Sequence, residues 1–223
     1  MLAEYPWASE LWDERQSALG DGPLIVVEGP HGAGKSTTVK ALATTLAARG
    51  IECLATKEPT STELGDFVKA ASEWIRGAAL AALIAADRWY HVETEITPTV
   101  AQGAVVISDR YVPSSLVLQT LDSVPLSYIV ALNREFPTPT LTVFLDCPRE
   151  VLLRRRSARL GSTRFEREGD SEQEAKLYQA VADQLGECCG DRIIRFDSAT
   201  TPPLEIAAAV ASRVQAMRAP TAS

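Results

Sequence analysis

The sequence predicts an α/β protein built on a five-stranded, mostly parallel sheet with helices on both faces. Two observations carry that prediction. Short runs of apolar and β-branched residues recur along the chain, and each stops at a glycine or a charged residue. These runs do not alternate with polar residues, which is the pattern of strands buried on both faces. Segments of helical length separate them, as crossover connections between parallel strands require.

The first run is Leu24-Ile25-Val26-Val27-Glu28, closed by Gly29. A helix follows from about Lys35 to Arg49, with Val39, Leu42 and Leu46 on one stripe and Gly50 placed as its stop. Ile51 to Thr56 forms the second strand, ahead of the turn Glu58-Pro59-Thr60. Two helices are expected between Glu63 and Thr97. Ala104 to Ser108 repeats the buried-strand pattern and stops at Asp109-Arg110, and Leu141 to Leu145 stops at Asp146. Pro148 suits the first turn of the next helix. Ser171-Glu172-Gln173-Glu174 reads as a capping box opening a helix through Leu185. Arg192 to Phe196 is the last strand, and Pro202 opens a final helix ending near Met217. In a parallel sheet, ligands sit beyond the carboxyl ends of the strands. Glu28, Lys57, Asp109 and Asp146 fall there.

The 223 residues suit one domain, expected over 21–218, with an N-terminal extension at 1–20 and a tail at 219–223. In the extension, Trp7, Leu11 and Trp12 form an apolar stripe expected to pack on its own domain. Residues 1–20 are acidic and lack the apolar segment of a signal peptide, and no apolar run reaches membrane-spanning length. A formal net charge of −7 argues against nucleic acid as the main partner. The four cysteines show no metal-binding spacing and read as reduced thiols, which points to a cytoplasmic protein.

The strongest chemical signal is Gly29-Pro30-His31-Gly32-Ala33-Gly34-Lys35-Ser36, which fits GxxxxGK[ST] between a strand and a helix. Glycines let backbone N–H groups turn inward around phosphate oxygens, and the helix N-terminus adds positive potential. Lys35 is placed for the β and γ phosphates and Ser36 for Mg²⁺. The expected ATP-binding set is Gly29, His31, Gly32, Ala33, Gly34, Lys35, Ser36 and Thr37. The guanine-reading Asn-Lys-x-Asp motif is absent, and Asp109 is followed by Arg110 rather than by a water-activating Glu. Arg110 and Lys57 at strand ends suit a second anionic ligand. Seven arginines between Arg149 and Arg167 surround Gly161 and form a candidate lid, at about 154–168, over phosphates.

Glu28-Gly29 with its phosphate loop, Lys57-Glu58-Pro59-Thr60, Ala86-Asp87-Arg88, Asp109-Arg110-Tyr111, Leu145-Asp146 and Arg164-Phe165-Glu166 occur in this order. Together they resemble the thymidylate kinase family of P-loop nucleoside monophosphate kinases. The resemblance runs from about Leu24 to the last helix. It implies that fold with an Arg-bearing lid, a possible homodimer, ATP and Mg²⁺, and transfer of the γ-phosphoryl group to a pyrimidine nucleoside monophosphate. It implies Lys35, Arg110 and Arg164 as catalytic residues and Ser36 and Asp109 at the metal. It implies an acceptor site of Glu28, His31, Lys57, Ile84, Arg88, Asp109, Arg110, Tyr111, Ser115 and Leu118.

Four of these positions depart from the family pattern. His31 replaces an acid near the acceptor sugar, and Ile84 replaces a Phe that stacks on the base. Leu118 stands where a Tyr is common, and Lys57 replaces an Arg, losing its bidentate fork. Either Trp89 or Tyr111 could take over the stacking. The acceptor is therefore expected to be dTMP or a related or 5-modified pyrimidine nucleotide such as hydroxymethyl-CMP, with dTMP not strongly preferred. Two alternatives remain open on the sequence. One is a nucleoside kinase that phosphorylates a hydroxyl, with Glu28 as base; the other is a P-loop ATPase or switch protein, which would hydrolyse ATP without an acceptor.

Overall fold

A computed structural model describes residues 7–12, 20–157 and 164–218. The expected lid residues 158–163, most of the extension and the tail 219–223 lie outside the described residues.

The chain opens with helix α1 (Trp7–Leu11), followed by β1 (Leu24–Glu28), α2 (Lys35–Ala48) and β2 (Cys53–Lys57). Helices α3 (Glu63–Ala71) and α4 (Gly77–His91) come next; a π-helical turn (Val92–Ile96) joins α4 to α5 (Thr97–Ala101). Then come β3 (Val105–Asp109), α6 (Val112–Leu121), α7 (Leu126–Asn133), β4 (Leu141–Asp146), α8 (Arg149–Ser157) and α9 (Arg164–Glu168). Helix α10 (Ser171–Cys189), β5 (Ile193–Asp197) and α11 (Pro203–Arg218) complete the chain.

All five strands are parallel, in the order β2-β3-β1-β4-β5. The chain therefore reverses its winding about β1, and the carboxyl ends of β1 and β3 meet side by side, with Val27 opposite Asp109. That is the switch point at which such sheets bind ligands. Side-chain alternation in β1 feeds two cores. Leu24 and Val26 pack with α1, α4, α6, α7 and α10, whereas Ile25 and Val27 pack with α2, α8 and α11. Trp7, Leu11 and Trp12 are buried in the first of these cores, so residues 7–12 pack on their own domain as the apolar stripe predicts.

Three elements differ from the sequence reading. The expected helix pair between Glu63 and Thr97 is a longer series, because Thr62 caps α3 through Gly65 N–H and α4 restarts at Gly77 after a turn. Helices α6 and α7 fill a connection in which the sequence marks no individual helix. Val112 through Gln119 are all buried, so α6 lacks the polar stripe that marks a surface helix. Finally, Asp170 rather than Ser171 caps α10, accepting from Glu172 N–H at 2.8 Å. The Glu174 side chain is thereby released from the cap and leaves the helix for the phosphate loop.

Candidate active site

Gly29, Gly32 and Gly34 all hold positive φ, at 145°, 90° and 99°. At Gly29 a Cβ would lie 2.6 Å from the Leu145 carbonyl oxygen, so only glycine fits the start of this loop. The loop ends at the N-terminus of α2, whose first N–H groups are aimed outward. Lys35 is buried and folded back on its own loop, with Nζ donating to Gly29 O at 2.7 Å and Pro30 O at 2.9 Å. Burial, reinforced by the Arg110 charge, pushes its ammonium down to about 7. An anion in the loop would relieve that stress.

The phosphate loop faces a cavity of about 1100 Å³. Pockets for one small ligand usually span about 300–1,000 Å³, so this one has room for two. One end is lined by His31 through Thr38, Arg155, Ser198, Thr201 and Ile206; the other by Lys57, Val68, Ser72, Ile84, Leu118 and Phe165. Asp109 and Arg110 line the same cavity.

Ser36 Oγ donates to Asp109 Oδ2 at 2.5 Å, while the buried Asp109 Oδ1 has no hydrogen-bond partner. A hydroxyl and an unsatisfied carboxylate oxygen side by side form a hard-oxygen donor pair, which suits Mg²⁺ that also takes phosphate oxygens and water. Among the described residues no cluster of three His, Cys, Asp or Glu exists to hold a metal alone.

Arg110 follows β3 with φ of 82°, a conformation a non-glycine residue adopts only when its surroundings hold it there. Its N–H donates to Val27 O at 3.1 Å, and its guanidinium donates to Ser114 Oγ and Tyr178 Oη, both at 3.0 Å. Behind it, Glu28 accepts from Tyr111 N–H at 2.7 Å, Ser114 N–H at 3.2 Å and Ser114 Oγ at 2.7 Å. Burial raises the Glu28 carboxyl to about 7 despite the opposing Arg110 charge. Both its oxygens are engaged at the start of α6, and Glu28 is not among the cavity-lining residues. The base role that a nucleoside kinase would give it has no support in this geometry.

Two of the short sequence motifs interlock. Asp87 accepts from Thr60 N–H at 2.8 Å and Thr60 Oγ1 at 2.6 Å, and Arg88 Nε donates to Glu58 Oε2 at 2.8 Å. Together they hold the turn after β2, and with it Lys57 on the cavity wall. Arg88 is only 1% exposed and also donates to Asn133, Tyr111 O and Ser115 Oγ. Arg88, Tyr111 and Ser115, expected from the resemblance to contact the acceptor, therefore form a layer behind the wall. Ile84, Lys57, Leu118, His31, Asp109 and Arg110 are on it.

Arg164 is also off the wall. Its guanidinium pairs with both oxygens of Asp122 at 2.6 and 2.7 Å, and Nε donates to Ser72 O at 2.8 Å. Of the other arginines of the expected lid, Arg155 lines the cavity, donating to Ser198 O at 2.7 Å, and Arg156 braces the phosphate loop.

The brace is built on Glu174, whose local sequence is that of a capping box. Glu174 Oε1 accepts from His31 N–H at 2.9 Å and lies 2.6 Å from His31 Nδ1. Its Oε2 accepts from Arg156 Nη2 at 2.6 Å, while Arg156 Nε donates to His31 O at 2.9 Å. Burial opposes the Glu174 charge, but the His31 hydrogen bonds and nearby Lys35 outweigh it and hold the carboxyl down at about 2. Burial and the Arg110 charge lower His31 to about 4, so at neutral pH the pair is an ionised Glu and a neutral His. The ionised carboxylate only accepts, so Nδ1 carries the imidazole proton and Nε2 is an acceptor. No sequence signal placed Glu174 here, because the contact joins residues 143 positions apart.

Residues 27–203 match the family model described as thymidylate kinase. The chain is similar to a probable thymidylate kinase of Pyrococcus horikoshii, 39% identical over 154 residues that cover 66% of this chain and 75% of the relative. A probable thymidylate kinase of Pyrococcus abyssi is 34% identical over 175 residues, covering 74% and 85%. A thymidylate kinase of Xanthomonas oryzae pv. oryzae is 39% identical over 140 residues, covering 62% of each chain.

Proposed function

The chain belongs to the thymidylate kinase family and is a nucleoside monophosphate kinase, and from that premise we propose that it transfers the γ-phosphoryl group of ATP to dTMP and related pyrimidine monophosphates. The observation that carries the reading is one cavity that brings together a phosphate loop, the cations Lys57 and Arg110 outside that loop, and an apolar wall.

In this reading ATP lies along Gly29 to Thr37, with its phosphates on the loop N–H groups and the start of α2. Lys35 releases Gly29 O and Pro30 O to meet the β and γ phosphates. Arg155 covers the ATP end. Mg²⁺, held by Ser36 and Asp109 with phosphate oxygens, would neutralise charge on the transferring group. Lys57 and Arg110 hold the acceptor phosphate, and Ile84 and Leu118 flank its nucleoside. Glu28, Tyr111, Ser115 and Arg88 position these groups from behind, and His31 Nε2 accepts from a sugar hydroxyl.

No general base is needed. A phosphate monoester has its second pKa near ~6, so the acceptor is already a dianion at neutral pH. The protein's contribution is alignment and charge neutralisation. Arg164 acts by positioning: its pairing with Asp122 docks α9 against the corner after α3.

Ile84 and His31 alter the base and sugar contacts while Lys35, Ser36 and Asp109 on the ATP side keep the family pattern, so pyrimidine monophosphates other than dTMP are also acceptors. The test is kcat/KM for dTMP, dUMP, UMP, CMP, dCMP and 5-hydroxymethyl-CMP with ATP and Mg²⁺. A lead for dTMP of a hundredfold or more over the panel refutes the relaxed acceptor pocket.

A further inference from the structure

We propose that Phe165, on the short helix α9, is the aromatic surface on which the acceptor's base stacks. The inference rests on the kinase reading above and deepens it at the acceptor end. The acceptor half of the cavity has an apolar wall of Val68, Ile84, Leu118 and Phe165. Phe165 is the aromatic member of that wall. The two other aromatic candidates are spoken for. Tyr111 is fully buried in the layer behind, and Trp89 packs on Phe136 with ring centroids 4.7 Å apart, outside the cavity lining.

The Phe165 ring is held in place. The Arg164 guanidinium covers it at 4.0 Å from the ring centroid, and that guanidinium is itself fixed by the fork to Asp122 and the bond to Ser72 O. The Arg164 N–H donates to Glu73 Oε1 at 3.1 Å, anchoring the backbone next to the ring. A ring immobilised before the ligand arrives loses little freedom when a base settles on it. The arrangement also accounts for an aliphatic residue at position 84, since the π surface comes from α9 instead of α4. Stacking is sequence-tolerant because every base has a π face. This site therefore recognises a planar pyrimidine ring without selecting thymine in particular.

The test compares dTMP with 5,6-dihydro-dTMP, whose saturated ring is no longer planar or aromatic, by kcat/KM in the wild type, Phe165→Tyr and Phe165→Leu. Stacking on an aromatic side chain predicts that the wild type and the Tyr variant favour dTMP by about 5-fold or more. The Leu variant, matched in bulk, should lose most of that preference, with its KM for ATP unchanged. Equal use of the two nucleotides by the wild type overturns the assignment without any variant. So does a preference that survives intact in Phe165→Leu. Failure of the wild type to turn over any pyrimidine monophosphate overturns the kinase reading itself, and this assignment with it.

Discussion

Replacing Glu174 by Gln removes the charge from the brace between α10 and the phosphate loop while keeping its size. The magnitude follows from proton linkage. The Glu174 carboxyl sits at about 2 in the fold against 4.5 ordinarily. Its folded pKa is depressed, so its contribution is fully present above pH 4.5 and is lost as pH falls toward 2. A neutral glutamine resembles the protonated acid, so the variant should lose up to about 3 kcal/mol at pH 7, at 1.36 kcal/mol per unit. The burial of Glu174 keeps solvent screening small. For a chain of this size the melting temperature should fall by about 6–12 °C. Urea unfolding of wild type and variant at pH 7, and again toward pH 3, measures the difference. It should shrink on acidification as the wild-type carboxyl takes up its proton. The KM for ATP should rise as well, because the His31 N–H and C=O lose their common anchor. A variant within about 0.5 kcal/mol of wild type at pH 7, the spread of ordinary surface substitutions, would refute the brace.

Lys35→Ala should lower kcat by about a hundredfold or more, the usual worth of a charge stabiliser aimed at the reacting group; steady-state ADP release measures it, and retention of a tenth of the rate contradicts the role. Arg110→Ala should raise the acceptor KM far more than the KM for ATP, and the reverse pattern would put Arg110 at the wrong nucleotide. Trp7→Ala should destabilise the fold by about 3–5 kcal/mol, since Trp7 is completely buried; unchanged stability in urea would mean that α1 is dispensable. His31→Asn keeps a side-chain N–H donor for Glu174 but removes the titration. Between pH 6.5 and 4 the unfolded chain binds a proton that folded His31 refuses, so the wild type should lose about 3 kcal/mol more than the variant over that window.

The sheet and the phosphate loop were legible because their signals are local. Leu24 to Glu28 reads as a buried strand on composition alone, and the glycines of the following loop meet requirements set within a few residues. Helix α6 was not legible because burial on all sides erases the period by which a helix is recognised. Lys35, Ser36, Asp109, Arg110 and Lys57 line one cavity because the phosphate loop and the strand ends converge on one edge of a parallel sheet. Glu174 was missed because its local context, one turn into a helix after Ser171, has a sufficient local explanation. Arg88 and Arg164 show the limit of such signals: the family resemblance implies ligand contact for both, and in the fold each pairs with a carboxylate, Arg88 with Glu58 and Arg164 with Asp122. An arginine in a motif announces an anion, and whether that anion is a substrate or a carboxylate depends on contacts distant in sequence.

The central claim is phosphoryl transfer between two nucleotides in one cavity, and the coupling of ATP consumption to an acceptor tests it most directly. Purified protein with ATP and Mg²⁺ is followed by ADP release, with and without dTMP, while the acceptor products are resolved by chromatography. The expected result is negligible ADP without acceptor, and one nucleoside diphosphate formed from dTMP for each additional ADP. ADP release at the same rate in the absence of any monophosphate, with dTMP recovered unchanged, would contradict it.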